Sequence, residues 1–373
     1  MVFSCSRVLT GEDMVKKIRV LIVDDSALIR QFLSHLLSQD RNIEVVGVAN
    51  DPTGAWRKIE TLRPDVLTLD VEMPHIDGLT FLEKLMATTP MPVLMVSSLT
   101  EDGCETALRA LELGAVDIVT KPKVDIRLGM EELAEELLEK VKAAAVARVR
   151  GKVSAGTPKI ALRVAPRALH AASAMIGTTD PIVAIGSSTG GTKAVKEVLE
   201  VMPPNSPPIL ITQHMPERFT KTWADRMNSL CRISVKEAED GDSVLPGHAL
   251  IAPGNYHMTL VRCGSRYLVR LNQDPPVNRH RPSVDVTFAS VAKHAGRNSV
   301  GIILTGMGND GAAGLLQMKQ SGAYTIAQDE STCVVFGMPK AAIQVGAVDV
   351  VLPLGDIPNA FLCQLRKGGQ RAV

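Results

Sequence analysis

Residues 18–26, with the sequence IRVLIVDDS, decide the fold of the first third of the chain. A short run rich in Ile, Val and Leu is typical of a strand buried in a parallel sheet. Similar runs follow, separated by segments such as 27–37 and 79–88, whose apolar residues recur every three or four positions as in amphipathic helices. The five predicted strands are residues 18–23, 44–49, 65–69, 92–97 and 117–120. Because strands and helices alternate, we predict a doubly wound parallel sheet.

The length and charge of the chain limit its domain count and its partners. A chain of 373 residues is long for one hydrophobic core, and typical domain sizes favour two domains. The 41 lysines and arginines nearly balance the 40 aspartates and glutamates, which leaves a formal charge of +1. This balance provides no overall attraction to nucleic acid, so we expect no nucleic-acid partner.

Cysteine spacing and hydropathy indicate where the protein works. The six cysteines form no C-x-x-C pair, which argues against a disulfide framework and against a zinc site. No apolar run approaches the roughly 18 residues of a membrane-spanning helix, and the N-terminus lacks the pattern of an export signal. We therefore expect a cytoplasmic protein without direct membrane insertion. The first 16 residues receive no function, and Met14 is a second candidate for the translation start.

A change in composition separates two halves of the chain. A charged, helix-like run at 131–150 leads into a stretch rich in Pro, Gly, Ala and Ser, which is typical of a linker. The predicted parts are an extension at 1–16, a first domain at 17–135, a linker at 136–179 and a second domain at 180–373.

The second domain resumes the strand pattern with one interruption. Its predicted parallel strands are residues 182–185, 208–212, 299–304 and 323–327. Residues 248–262 and 266–273 instead predict an antiparallel pair. We therefore expect a second α/β domain with a mostly parallel sheet and an antiparallel hairpin.

Acidic residues follow two of the predicted strands in the first domain. Asp24 and Asp25 end the first strand, and Asp70 ends the third. Ligand sites in parallel sheets form where the carboxyl ends of the strands converge, and clustered carboxylates suit Mg²⁺. An aspartate beside a bound Mg²⁺ and the lysine at 121 can accept a phosphoryl group, because both cations neutralise charge on the transferring oxygens.

These motifs resemble the response-regulator receiver family of two-component systems. The resemblance covers residues 18 to about 124, and its motifs are V-D-D-S at 23–26, D-V-E-M-P at 70–74, D-G at 77–78 and T-K-P at 120–122. It implies a flavodoxin-like five-stranded sheet. It also implies residue roles: Asp70 as phosphoacceptor, Asp24 and Asp25 with Asp70 as Mg²⁺ ligands, Lys121 as phosphate contact and Ser97 as switch hydroxyl.

A glycine-rich turn follows the first strand of the second domain. Its sequence, G-S-S-T-G-G at 186–191, has the glycine spacing of a phosphate-binding loop. Thr192 and Lys193 follow in the wrong order for such a loop, so nucleotide binding is the less favoured interpretation. The alternative is a strand-to-helix turn that presents Ser188 or Ser187 as a nucleophile near backbone N–H groups.

Two further strand ends supply partners for such a serine. His214 follows the strand at 208–212, and Asp310 lies in T-G-M-G-N-D-G at 305–311. The latter segment also contains the G-x-G-x-x-G spacing of a dinucleotide site, but the Asp310 carboxylate would repel a pyrophosphate. A Ser188, His214 and Asp310 triad is therefore predicted, in a chain order that differs from that of α/β-hydrolases.

Over residues 18 to about 366 the chain resembles the chemotaxis protein-glutamate methylesterases. Besides the two glycine-rich segments, the shared motifs are Q-H-M-P at 213–216, A-P-G-N-Y-H at 252–257 and R-P-S-V-D at 281–285. The resemblance implies Ser188 as nucleophile, His214 and Asp310 as its partners, and the Met307 backbone N–H as oxyanion donor. One departure is Ser187, where alanine is commoner in that family.

The same resemblance implies a reaction and its control. It implies hydrolysis of glutamyl methyl esters, and deamidation of glutamines, on the cytoplasmic helices of chemoreceptors. We expect the hydrolysis to need no cofactor, and a chemotaxis histidine kinase to donate the phosphate. The unphosphorylated receiver is expected to cover the catalytic cleft, and phosphorylation of Asp70 to weaken that contact.

Two other functional classes are compatible with parts of the sequence. A receiver is often joined to a DNA-binding output, but the second half has no helix-turn-helix pattern. A nucleotide-dependent enzyme is the other rival. His257, Arg281 and Asp285 are candidates for the substrate groove, and equally for caps or surface pairs.

Overall fold

A computed structural model describes residues 16–73, 78–97, 100–121, 130–149 and 181–370. The strands of the N-terminal domain are β1 (Ile18–Val23), β2 (Ile43–Ala49), β3 (Val66–Asp70), β4 (Val93–Ser97) and β5 (Asp117–Thr120). Its helices are α1 (Ala27–Leu37), α2 (Pro52–Leu62), α3 (Gly78–Thr88), α4 (Glu101–Leu113) and α5 (Met130–Ala145). The strands are all parallel in the order β2-β1-β3-β4-β5, which confirms the predicted flavodoxin-like sheet.

The register of this sheet brings the acidic strand ends together. β1 and β3 are neighbours, with Val23 opposite Leu69, so the residues that follow lie side by side at the carboxyl edge. Helix α1 begins directly after this edge, where the Ser26 hydroxyl accepts a hydrogen bond from the Ile29 N–H. The sheet therefore positions Asp24 beside Asp70.

Helix α5 continues past the predicted end of the first domain. The boundary at residue 135 falls inside this helix, which extends to Ala145 and packs its buried Leu137 and Val141 against the sheet residues of the first domain. The charge of residues 131–150 suggested a connector, but its apolar positions recur at helical spacing and bury one face. The first ten residues of the predicted linker at 136–179 are thus helical, and residues 150–180 lie outside the described part of the chain.

The C-terminal domain has a seven-stranded parallel sheet and a separate antiparallel pair. Its strands are β6 (Ile182–Ser187), β7 (Ile209–Gln213), β8 (Ser234–Glu237), β9 (His248–Ile251), β10 (His257–Cys263), β11 (Arg266–Asn272), β12 (Ser299–Ile303), β13 (Tyr324–Gln328) and β14 (Val350–Leu352). Its helices are α6 (Gly191–Leu199), α7 (Phe219–Leu230), α8 (Val284–His294), α9 (Ala312–Gln320), α10 (Met338–Gln344) and α11 (Ile357–Gln370). The large sheet has the order β14-β13-β12-β6-β7-β9-β8, and β10 pairs with β11. The predicted fold class is confirmed.

The predicted antiparallel pair is shorter than expected. Residues 248–251 form β9 and pair in parallel with β7, and only β10 joins β11 in the hairpin. The break lies at Pro253 and Gly254, where a side chain at Gly254 would come within 2.5 Å of the Glu217 backbone nitrogen. β8 and β14 were not predicted, because they are only three or four residues long and half-buried.

The two domains contact each other through helices and ion pairs. Helix α4 packs on α7, and Arg226 of α7 binds both carboxylate oxygens of Glu112, at 2.7 and 2.5 Å. Arg279 of the C-terminal domain pairs with Glu139 of α5 at 2.6 Å. Within the described ranges, no helix has the length and apolar character needed to cross a membrane.

Candidate functional site

Three carboxylates meet at the carboxyl edge of the N-terminal sheet. Oxygen atoms of Asp24, Asp25 and Asp70 all lie within 4.8 Å of one another. Asp24 and Asp70 are buried, and Asp25 is exposed. Hard oxygen donors open to solvent on one side fit Mg²⁺, which keeps several waters when it binds to proteins. The donor set therefore fits the predicted metal.

Lys121 lies between the two buried carboxylates. Its Nζ atom is 2.7 Å from Asp70 Oδ2 and 3.2 Å from Asp24 Oδ2. Burial is the main reason that the pKa of Asp70 rises to about 6, and the charge of Asp24 adds to it while Lys121 opposes it. Burial also raises the pKa of Asp24. Lys121 therefore neutralises only part of the negative charge of this site.

Ser97 lies at the end of β4 with its hydroxyl donated to a backbone carbonyl. Ser97 Oγ is 2.9 Å from the Gly103 oxygen in the first turn of α4. The predicted switch hydroxyl is thus engaged with the helix that contacts the C-terminal domain. Pro74, Asp77 and Pro122 of the receiver motifs lie outside the described residues.

Ser188 and His214 follow adjacent strands of the C-terminal sheet. Ser187 of β6 is in register with Gln213 of β7, and the His214 N–H donates to the Ser187 carbonyl at 3.1 Å. Ser188 and His214 therefore leave the sheet side by side, and both line one small cavity. The Ser188 hydroxyl has no hydrogen-bond partner among the described residues.

Ser187 differs from its neighbour, because its hydroxyl is buried and bonded. Ser187 Oγ donates to Gln213 Oε1 at 2.7 Å. The Gln213 amide in turn donates to the carbonyls of Ser188, at 2.9 Å, and His214, at 3.1 Å. A side chain at Gly191 would come within 2.2 Å of Gln213 Oε1, which explains a glycine there. Ser187 and Gln213 thus tie the two strand ends together.

His214 and Asp310 form a buried pair. His214 Nε2 is 2.8 Å from Asp310 Oδ2, and His214 Nδ1 is buried without a partner in the described chain. Because a carboxylate accepts only, the proton of a neutral His214 lies on Nε2, and Nδ1 carries a free lone pair. Asp310 is seven residues past the end of β12, just before α9, so it reaches the histidine from a loop.

Asp310 is the most fully bonded carboxylate of the site. Besides His214 it accepts the Asn278 amide at 2.8 Å, the Ser283 hydroxyl at 2.8 Å, and the N–H groups of Val284 and Asp285 at 2.6 and 3.3 Å. The last two donors open helix α8, whose dipole favours an anion. Burial alone raises the pKa of Asp310, but the hydrogen bond and charge of His214, with the other donors, hold it well below its ordinary value.

The backbone beside Ser188 is shaped by Gly306. A side chain at Gly306 would come within 2.7 Å of Ser188 Cβ, so glycine permits the close approach of the two loops. The next residue, Met307, is half-buried, and its N–H donates to no acceptor in the described part of the chain. A free N–H at this place is available to a ligand.

The N-terminal domain closes the cavity at Ser188. Leu111, Val116, Asp117 and Ile118 line it together with Ser188 and His214, and the cavity volume is about 10 Å³. A space of that size holds about one water molecule. The Thr189 hydroxyl donates to Asp117 Oδ2 at 2.6 Å across the interface. The arrangement leaves no room for a side-chain ester.

The three candidate groove residues serve as structural contacts. His257 is buried, accepts the Ser283 N–H at 3.2 Å and bonds the Pro275 carbonyl at 3.2 Å. Arg281 binds Asn255 Oδ1 at 2.6 Å. Asp285 accepts the Gly314 N–H at the start of α9, at 2.6 Å. The cap and pair interpretation is therefore the one that this geometry supports.

Comparison with known proteins identifies the family. Residues 183–361 match the CheB methylesterase family, and residues 20–133 match the response regulator receiver domain. A protein-glutamate methylesterase/protein-glutamine glutaminase from Geobacter metallireducens is 59% identical over 95% of this chain and 98% of its own. One from Burkholderia lata is 55% identical over 96% and 98%. The chain belongs to the CheB methylesterase family.

A solved structure is similar to one part of this CheB family member. The methylesterase catalytic domain of Thermotoga maritima CheB is 43% identical, with a TM-score of 0.48, and covers 49% of this chain and 97% of that one. The sequence left two alternatives for the second half of the chain, a DNA-binding domain and a nucleotide-dependent enzyme. Residues 183–361 of this half match the methylesterase family, which argues against both alternatives.

Sequence reasoning missed three residues of the CheB site. Gln213 was quoted only as part of a motif, although it ties the two strand ends. Asn278 binds Asp310, and the ring of His280 stacks on that of His214 with centroids 3.6 Å apart. Both precede the R-P-S-V-D motif, but no spacing rule connects them to His214, because they lie in a separate turn at residues 277–280.

Proposed function

We propose that the protein is a phosphorylation-activated protein-glutamate methylesterase and protein-glutamine glutaminase of chemoreceptors. The observation that carries the proposal is the His214–Asp310 pair, with a free Nδ1, beside the unbonded hydroxyl of Ser188. The names of its relatives supply the substrate class, which is a glutamyl methyl ester or a glutamine. The cytoplasmic helices of methyl-accepting chemotaxis receptors would carry these groups, so the reaction belongs in the cytoplasm.

In the proposed reaction, Ser188 attacks the side-chain carbonyl of the substrate. His214 Nδ1 accepts the serine proton and returns it to the leaving group, which is released as methanol or ammonia. Water then hydrolyses the acyl-serine by the reverse sequence of proton transfers. Asp310 stays ionised, because its five hydrogen bonds favour the anion, and it stabilises the His214 imidazolium.

The negative charge that develops on the substrate carbonyl oxygen during the attack needs hydrogen-bond donors to stabilise it. The proposed donor is the Met307 N–H, which follows the close contact between Gly306 and Ser188. One backbone donor of this kind stabilises the oxyanion by about 3 kcal/mol, because the N–H already points to the right place before the attack. The dipole of α6, which begins at Gly191, adds to the same field.

The receiver is proposed to control access to Ser188. A chemotaxis histidine kinase would transfer phosphate to Asp70, with Mg²⁺ held by Asp24, Asp25 and Asp70. When bound, this ion supplies charge neutralisation to the transferring phosphoryl oxygens. Lys121 already contacts Asp70 and would hold the phosphate, and the Ser97 hydroxyl would leave Gly103 to hydrogen-bond it.

Autoinhibition in the unphosphorylated state is supported by the docked surfaces. The side chains of β5 and α4 close the cavity at Ser188, and Thr189, next to the nucleophile, donates to Asp117 of the receiver. Release of the Ser97 hydroxyl from Gly103 would change the first turn of α4, the helix that carries Glu112 at the interface. Phosphorylation would thereby weaken the contact and admit the receptor.

Methanol release from a methylated receptor fragment tests this function. We expect release by the full chain to rise on addition of acetyl phosphate and Mg²⁺, and the Asp70→Asn variant to show no rise. Ser188→Ala should release no methanol and should lose labelling by a fluorophosphonate probe, while Ser187→Ala keeps both. Labelling that persists in Ser188→Ala and vanishes in Ser187→Ala would contradict the nucleophile assignment.

A further inference from the structure

A tight turn at residues 277–280 lies against the proposed catalytic pair. The Val277 N–H donates to the His280 carbonyl at 3.1 Å, and the His280 N–H donates to the Val277 carbonyl at 2.9 Å. The two central residues, Asn278 and Arg279, both have positive φ, 51° and 68°. Arginine rarely adopts this left-handed conformation, and backbone strain of this kind concentrates at functional sites.

Two side chains of this turn contact the catalytic pair. Asn278 donates to Asp310 at 2.8 Å and to Asp285 at 2.7 Å. The His280 ring stacks on His214, with ring centroids 3.6 Å apart and planes inclined by 16°. The turn therefore supports both members of the His214–Asp310 pair at once.

The stacked ring supplies a restraint that the hydrogen bonds of His214 do not. One hydrogen bond, from Nε2 to Asp310, restrains one edge of the imidazole, and rotation about the Cβ–Cγ bond can still tilt the ring out of line. The other ring nitrogen, Nδ1, has no partner in the described chain that would stop such a motion. A parallel ring at van der Waals distance blocks it.

We infer that His280 is a positioning residue for the proposed hydrolysis, whose ring face holds His214 with Nδ1 directed at Ser188. The inference rests on the proposed function. His280 lies over the face of His214, where the ring presents neither an N–H nor a lone pair, so it takes no proton from it. Its contribution is orientation, and an aromatic ring without nitrogen can provide the same contribution.

The charge state of His280 agrees with this role. Burial, followed by the neighbouring charge of His214, lowers the pKa of His280 to about 3. Asp310 acts in the opposite sense, and Lys140 and Arg279 lower the pKa further. A neutral ring face can stack on the imidazolium that His214 becomes during the reaction, and attracts it instead of repelling it.

Kinetics of the full chain with Mg²⁺ and acetyl phosphate test the inference. We expect His280→Ala to lower kcat for the methylated receptor fragment about 10- to 100-fold, because a misaligned base loses that much, with KM within about twofold. His280→Phe keeps the ring face and should retain kcat within about threefold of the wild type. His248→Ala, at the amino end of β9, is the matched control and should change neither constant.

Two outcomes of these assays would overturn the inference. One is a kcat for His280→Ala equal to that of the wild type. The other is a loss in His280→Phe as large as in His280→Ala, because the nitrogens of His280 would then be required.

A second measurement needs neither substrate nor turnover. In the ¹⁵N-histidine spectrum of the wild-type full chain, we expect His214 to show a single tautomer with its proton on Nε2. His280→Ala should shift these signals toward the average of two tautomers, and His280→Phe should not. Unchanged His214 signals in His280→Ala would refute the positioning role. Absence of methanol release from every variant, with the shift present, would refute the proposed function alone.

Discussion

The receiver and the C-terminal domain each place a buried carboxylate near the carboxyl edge of a parallel sheet, and hold it in opposite ways. Asp70 has one lysine and one backbone N–H as donors, lies next to a second carboxylate, and has a pKa raised to about 6. Asp310 has five donors, including the first turn of a helix, and a pKa below the ordinary value. Burial is the largest influence on both.

Because both carboxylates are buried, the opposite directions of their pKa shifts come from their donors and from the charges beside them. A carboxylate with few donors and a like charge beside it is suited to bind a cation and to accept a phosphoryl group. One surrounded by donors is a permanent anion, which suits the partner of a histidine base. A change in the donors or the charge at one carboxylate should therefore leave the other intact, and the contact between the two domains can be tested separately.

The largest expected effect comes from removing the Asp310 charge. Asp310→Asn should lower kcat about 10³- to 10⁴-fold, because an amide no longer stabilises the His214 imidazolium or fixes its tautomer. Methanol release from a methylated receptor fragment measures it. The control is Asp285→Asn, since Asp285 caps α9 in the same cluster and does not contact His214. Similar losses in both variants would assign Asp310 a purely structural role.

The next effect is on stability in acid. Because folding lowers the pKa of Asp310, its ionised form stabilises the protein fully above the unfolded pKa of about 3.9, and this stabilisation is lost as the pH falls below it. The slope reaches up to about 1.4 kcal/mol per pH unit for one group. Urea melts between about pH 5 and pH 3 measure this effect. The free energies of unfolding of the wild type and Asp310→Asn should converge as the pH falls. Parallel curves would contradict the lowered pKa.

The third effect concerns the metal at the receiver. Mg²⁺ at about 100 times its Kd should stabilise the native chain by about 2.7 kcal/mol, since it binds the folded carboxylate cluster. Asp25→Asn should reduce this increment, as judged by thermal melts with Mg²⁺ or with chelator. Asp65→Asn, at the opposite end of β3, is the control and should keep it. An equal increment in both variants would place the ion elsewhere.

The smallest effect tests the contact between the two regions. Glu112→Arg or Arg226→Glu alone should raise the activity of the unphosphorylated chain about two- to fivefold, because a partly exposed ion pair contributes up to about 1 kcal/mol. The double exchange should restore low activity. Lys221→Ala removes an ion pair within α7 and should change nothing. If the double exchange is as active as the single variants, the ion pair does not couple the domains.

Much of the fold and part of the site could be predicted from local pattern. Buried strands such as β1 and β3 are continuous apolar runs, and their carboxyl ends converge in any doubly wound sheet, so Asp24 and Asp70 could be placed together. β14 could not be predicted, because a strand of only three residues is too short to show a periodic pattern. The helix-like run at 131–150 was read from its charge as part of a connector, because no local pattern shows that its apolar face packs on the receiver sheet.

Contacts between distant segments were beyond the sequence. The stacking of His280 on His214 joins the turn at residues 277–280 to the end of a strand 66 residues away, and no sequence spacing relates the two. The same holds for Thr189 and Asp117, which belong to different domains.

The sequence by itself determined the two sheets, the acidic edge of the receiver and the family, because periodicity and motif spacing are local properties. Only the tertiary structure decided which serine is free, which donors surround Asp310 and what covers the cavity. Ser187 and Ser188 are neighbours in sequence, and the register of β6 with β7 alone commits the first hydroxyl to Gln213. Such choices depend on packing between elements, which no local pattern records.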